Sequence, residues 1–135
     1  MNLALYYLAL SGMFCVLLWI PYILNRVFVW GIPAFASNYP SKKFPIEAPT
    51  IPVWAERAQR AHLNMVETLP AFAAVVLAAY LTDASNSIVA SWAAIFFWAR
   101  VFHAVIYILG VSYLRTPAYL ISWAAVLIIG TQVVF

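Results

Sequence analysis

The chain has 135 residues and a formal net charge of +3; 67% of its residues are hydrophobic, 8% are charged, and the mean hydropathy is +0.94. So few polar side chains cannot cover a water-facing surface, which excludes an ordinary soluble domain and points to an integral membrane protein. A basic nucleic-acid-binding patch is excluded too, because Lys42 and Lys43 are the only adjacent basic pair and the remaining cations are scattered.

The first element, Leu3 to Leu24, carries no charged residue. As a helix it crosses a ~30 Å hydrocarbon core at ~1.5 Å per residue. It has neither the basic n-region nor the small-residue cleavage site of a signal peptide, so it is expected to stay as an anchor. Cys15 lies inside it and reads as a buried thiol. The segment from Asn25 to Val53 is rich in proline, including Pro40, Pro45, Pro49 and Pro52, and also holds Lys42, Lys43 and Glu47. Each proline removes a backbone donor, which predicts an irregular loop at the membrane interface.

Three further spans follow: Trp54 to Leu81, Ser87 to Gly110, and Ala118 to Phe135. Membrane strands would be about ten residues long with alternating polarity, a pattern this chain lacks. The connections "LTDASNS" (81–87) and "GVSYLRTP" (110–117) are short and force antiparallel neighbours. The expectation is a single all-α transmembrane domain over residues 1–135, an up-and-down bundle of four helices at 3–24, 54–81, 87–110 and 118–135. Pro21 and Pro70 each remove one helical hydrogen bond and are expected to loosen or kink their spans. Arg26, Lys42 and Lys43 in the first connection and Arg115 in the third place both connections in the cytoplasm and the termini outside, in a cell inner membrane.

The second span begins with "ERAQRAHLNMVETLPAF" (56–72). At ~100° per residue, Glu56, Arg57, Arg60, Asn64 and Glu67 fall within about a quarter-turn sector, while Gln59 and His62 point elsewhere. In the third span Arg100, His103 and Tyr107 share a face at i, i+3 and i+7. Charges at this depth must face a neighbour or a wet cavity. Glu67 and Arg100 match in depth and are expected to form a buried ion pair or to share a network. Arg57, Arg60, Asn64, His103 and Tyr107 are expected to line a polar pocket open to the cytoplasm. Arg26 either reaches the mouth of that pocket or extends to headgroups. The bland alternative is that these groups only join helices, although apolar packing would do so at lower desolvation cost. His62 reads as an interfacial residue. Two histidines on different spans and one distant cysteine do not suggest a metal site. Neither a serine-histidine-acid set nor a glycine-rich phosphate loop is recognisable.

The two stretches "ERAQRAHLNMVETLPAF" and "ARVFHAVIYILGVSYLRTPAY" resemble the MAPEG family, the membrane-associated proteins in eicosanoid and glutathione metabolism. The likeness extends over essentially the whole chain. It implies a homotrimer of four-helix subunits that binds glutathione at subunit interfaces near the cytoplasmic side and acts as a transferase, peroxidase or isomerase on lipophilic substrates. On that resemblance Arg60, Asn64 and Glu67 match the signature of the second helix, His103 and Tyr107 match ligand-contacting positions of the third, and Arg26 is similar in place to an arginine ending the first. Glutathione brings two carboxylates, an ammonium and a thiol, which arginines and a glutamate can hold through charge-assisted hydrogen bonds. Lowering the thiol pKa needs a cation, and Arg115 either supplies it or is a positive anchor at the start of the fourth helix. Some relatives carry an arginine-serine pair where this chain has Tyr119 and Leu120, an arginine at Leu63, and a tyrosine at Trp123. The alternative function is therefore a non-catalytic membrane protein binding a lipid or acidic metabolite in the same pocket. A proton or ion transporter is a third class, set against polar stripes that stop halfway.

Overall fold

The computed structural model describes residues 2–36 and 50–135. The stretch with Pro40, Lys42, Lys43, Pro45, Glu47 and Pro49, expected to be an irregular loop, lies outside the described residues. The elements are α1 (Leu3–Trp30), α2 (Ile32–Ala36), α3 (Val53–Leu81), α4 (Ser87–Leu109) and α5 (Ser112–Val134). All but α2 are long and apolar enough to cross a membrane. The protein is an all-α, multi-pass membrane protein built as an up-and-down bundle.

Two boundaries differ from expectation. α1 runs to Trp30, six residues past the expected end at Leu24, and α2 follows it. Pro21 removes only one donor, and "NRVFVW" contains no breaker before Gly31, whose φ of 79° ends the helix. α5 starts at Ser112, not Ala118. Pro117 had marked the expected start, but it lies inside the helix, and the connection shrinks to Gly110 and Val111. Arg115 thereby becomes a helical residue on a fixed face.

Polar links set the topology. Asn2 caps α1 by accepting from the Ala4 and Leu5 amides, and its own amide donates to Ser85 Oγ at 2.9 Å. Asn86 caps α4 through the Val89 amide and donates to Gln132 Oε1 near the end of α5 at 3.0 Å. The start of α1 and the end of α5 are thus clasped to the α3–α4 turn. At the opposite end Gly110 closes α4 in the left-handed conformation (φ 81°), and a Cβ there would overlap the Arg57 guanidinium. Glycine is required twice over, for its backbone and for the arginine packed on it.

Between the ends, small residues let the backbones approach: Ala55, Ala58, Ala61 and Ala79 of α3, Ala93 and Ala104 of α4, and Ala118 and Ala125 of α5 are all buried. Phe72 and Phe96 stack at 3.8 Å with planes 9° apart and fill the space between α3 and α4. The buried polar residues Arg100, His103 and Ser122 lie between this apolar middle and the α4–α5 turn.

Candidate functional site

Arg100 anchors the polar end. It is fully buried, at 1% exposure, and crosslinks three helices. One guanidinium nitrogen donates to the backbone carbonyl of Asn64 on α3, another to Ser122 Oγ on α5 at 3.4 Å, and the Tyr119 ring faces the cation at 5.6 Å. The expected direct ion pair with Glu67 is not formed. Glu67 is exposed on the outer side of α3, within electrostatic reach of Arg100 but beyond ion-pair distance. A backbone carbonyl, a hydroxyl and an aromatic face take the place of the carboxylate, and Nε has no partner. Among the described residues no anion contacts the buried guanidinium, so most of its positive charge stays uncompensated.

Next to Arg100, toward the α4–α5 turn, opens a cavity of 330 Å³ lined by Asn64, His103, Tyr107, Ser112, Arg115, Thr116 and Tyr119. That is the lower end of the range for small-molecule sites. His103 is buried at its base, with ring centroids 5.5 Å from Tyr107 and 6.3 Å from Tyr119. The Arg115 guanidinium stacks on the Tyr107 ring at 4.7 Å, which orients a side chain that would otherwise be free to extend outward. Arg60 lies against the Tyr107 hydroxyl and pairs with Glu56 at 2.8 Å, one turn earlier and exposed.

The structure brings together Asn64, His103, Tyr107 and Arg115 around this cavity, with Arg60 at its rim and Arg100 behind it. It does not bring Arg26, Arg57 or Glu67 to its lining. Arg26 donates to Gln59 Oε1 at 2.7 Å and lies between the rings of Tyr22 and Trp30, at 5.7 and 5.6 Å, on the α1–α3 side. It neither reaches the cavity mouth nor simply extends outward. Arg57 packs on Gly110. Glu67 borders a second concavity of 220 Å³ between α3 and α5, with Thr68, Ala71, Tyr119, Ser122, Trp123, Val126 and Leu127. His62 shares a hydrogen bond of 2.8 Å with the Tyr22 hydroxyl, joining α3 to α1.

Ser112, Thr116, Tyr119 and Ser122 were not anticipated as part of the site. Their signal is a polar stripe at i, i+4, i+7 and i+10, which also passes close to Arg115. It is visible only when the helix is started at Ser112. Among the described residues no group of three histidine, cysteine or acidic side chains could hold a metal ion.

Fold and cavity together define a class: integral membrane bundles of four spanning helices with a cationic, aromatic-walled cavity at one end. The chain belongs to the MAPEG family, whose family model matches residues 3–135, and so to membrane proteins of glutathione and eicosanoid metabolism. No curated protein and no solved structure matches it.

Proposed function

We propose that the protein binds glutathione or a related thiol in the 330 Å³ cavity and uses it to conjugate or reduce lipophilic electrophiles, as a transferase or peroxidase. The carrying observation is the cavity itself: Arg115 is held over Tyr107, Arg60 stands at the rim, and the buried charge of Arg100 lies behind the wall. Such a surface suits an anionic peptide, whose carboxylates take charge-assisted hydrogen bonds from arginine.

In conjugation the thiol loses its proton to water at the open mouth of the cavity. The sulfur then forms a bond to the electrophilic carbon while the leaving group departs with its electron pair. Arg115 is the cation that favours the thiolate, the attacking form. Asn64, His103 and Tyr107 orient the ligand, and Arg60 attracts it. Arg26 and Arg57 belong to the site through the helices they brace rather than by lining the cavity.

Three copies assemble into a trimer with the cavity on the cytoplasmic side of the inner membrane, where the basic connections lie. Glu67 supports the assembly: an exposed carboxylate on a spanning helix costs several kcal/mol in lipid, and a neighbouring subunit that covers it removes that cost.

The test is calorimetric titration of the detergent-solubilised protein with glutathione, followed by conjugation of a generic aryl halide. Saturable binding and turnover support the reading. The absence of both contradicts it. A second reading, a non-catalytic binder of a lipid or acidic metabolite, is favoured by Tyr119 and Leu120 at positions where some relatives carry arginine and serine. Native mass spectrometry then finds a copurifying ligand that no thiol displaces.

A further inference from the structure

Among the described residues Tyr119 is the one side chain that borders both concavities of the polar end. On one side it walls the 330 Å³ cavity with Asn64, His103 and Arg115. On the other it closes the 220 Å³ cleft between α3 and α5, where Ala71, Trp123, Val126 and Leu127 supply an apolar wall beside the polar side chains of Glu67, Thr68 and Ser122. A charged thiol and a lipophilic electrophile prefer different surroundings, and this ring marks where the two surroundings meet.

Its position is fixed from behind. The Arg100 guanidinium faces the ring at 5.6 Å and is itself held by the Asn64 carbonyl and by Ser122 Oγ. Ser122 in turn donates back to the Tyr119 carbonyl at 2.7 Å, locking that turn of α5. Among the described residues the buried cation has no contacting carboxylate, so its field falls on the phenol and on whatever the phenol touches. A phenol O–H polarised in this way is a strong donor to an anion, and it costs nothing to reorganise when the charge appears.

We infer that Tyr119, backed by Arg100, donates a hydrogen bond to the sulfur of the bound thiolate at the border between the polar cavity and the apolar α3–α5 cleft, and that the electrophile occupies the cleft. The inference rests on the proposed thiol-dependent reading. It adds a second group to Arg115: the arginine supplies charge, and the tyrosine supplies the directed donor. The phenol keeps its proton throughout. The thiol proton leaves to water, the S–C bond forms as the bond to the leaving group breaks, and the hydrogen bond weakens once the sulfur is neutral.

The experiment compares wild type with Tyr119→Phe and with a variant carrying 3-fluorotyrosine at position 119. Glutathione affinity is read by calorimetry, the bound thiolate by its ultraviolet absorbance against pH, and turnover with an aryl halide and a more lipophilic analogue. In Tyr119→Phe the expected outcome is glutathione affinity within about threefold of wild type below the pH at which the bound thiol ionises and weaker above it, with kcat lower by about tenfold to a hundredfold, the worth of one hydrogen bond to an ion. The thiolate titration moves to higher pH. The more acidic fluorotyrosine moves that titration the other way, a response that a merely structural role does not produce. An unchanged thiolate titration and kcat in Tyr119→Phe, with wild type binding and turning over glutathione, overturns this inference alone. A wild type that neither binds nor turns over glutathione overturns the thiol reading, and this inference falls with it.

Discussion

The same four spanning helices are held together in two different ways along their length. In the half toward the α3–α4 turn, Phe72 stacks on Phe96, Ala79, Ala93 and Ala125 allow close backbones, and the asparagine clasps of Asn2 and Asn86 finish the ends. In the half toward the α4–α5 turn, Arg100, Ser122, Asn64 and Tyr119 form crosslinks that require burying a charge. The first half joins its helices by apolar packing and neutral hydrogen bonds at the ends, without burying a charge. The second bears a desolvation cost that the first avoids, which is the physical reason to read it as a site.

Substitutions ordered by their expected effect on stability sharpen the contrast. Phe96→Ala, in the apolar half, has the largest: about 2–3 kcal/mol lost, mainly through the cavity left beside Phe72, read as a lower thermal unfolding midpoint in detergent. Gly110→Ala comes next at about 2 kcal/mol, because the residue adopts φ 81° and the new methyl displaces Arg57. Asn86→Ala costs about 1 kcal/mol by removing the α4 cap together with the link to Gln132. Arg100→Met changes the stability by about 1 kcal/mol or less, in either direction, since a well-packed apolar side chain can replace a buried charge without loss. The same variant loses most of its glutathione affinity, whereas Asn86→Ala keeps it. A midpoint that collapses in Arg100→Met would erase the contrast and return the polar end to a structural role.

The sequence made the spans legible because length and hydropathy are local properties, and it made the stripes on α3 and α4 legible because helical spacing puts residues on one face. Asn64, His103 and Tyr107 were found this way, and they share one cavity. A face does not name its neighbour, however. Arg57 shares the sector of Asn64 but packs on Gly110, and Arg26 turns to Gln59 and two aromatic rings. Glu67 lies on the exposed side of α3, out of ion-pair reach of the Arg100 it was matched to by depth.

The start of α5 at Ser112 is hidden in the sequence because Pro117 follows it by five residues, and proline usually stands at or before the first turn of a helix. A helix accommodates it with one missing donor, and the stripe of Ser112, Thr116, Tyr119 and Ser122 emerges only from the longer helix. The wall of the site, including Tyr119 on both concavities, is therefore visible only in the structure.

The central claim is that the cavity between Arg115 and His103 receives an anionic thiol. Its most direct measurement is calorimetric titration of glutathione into wild type and Arg115→Gln, both folded in detergent as judged by their unfolding midpoints. The account predicts saturable binding in wild type, weakened about tenfold or more in the variant, the scale of a lost charge-assisted hydrogen bond. Binding of equal strength in both proteins, or no binding in wild type, would contradict it.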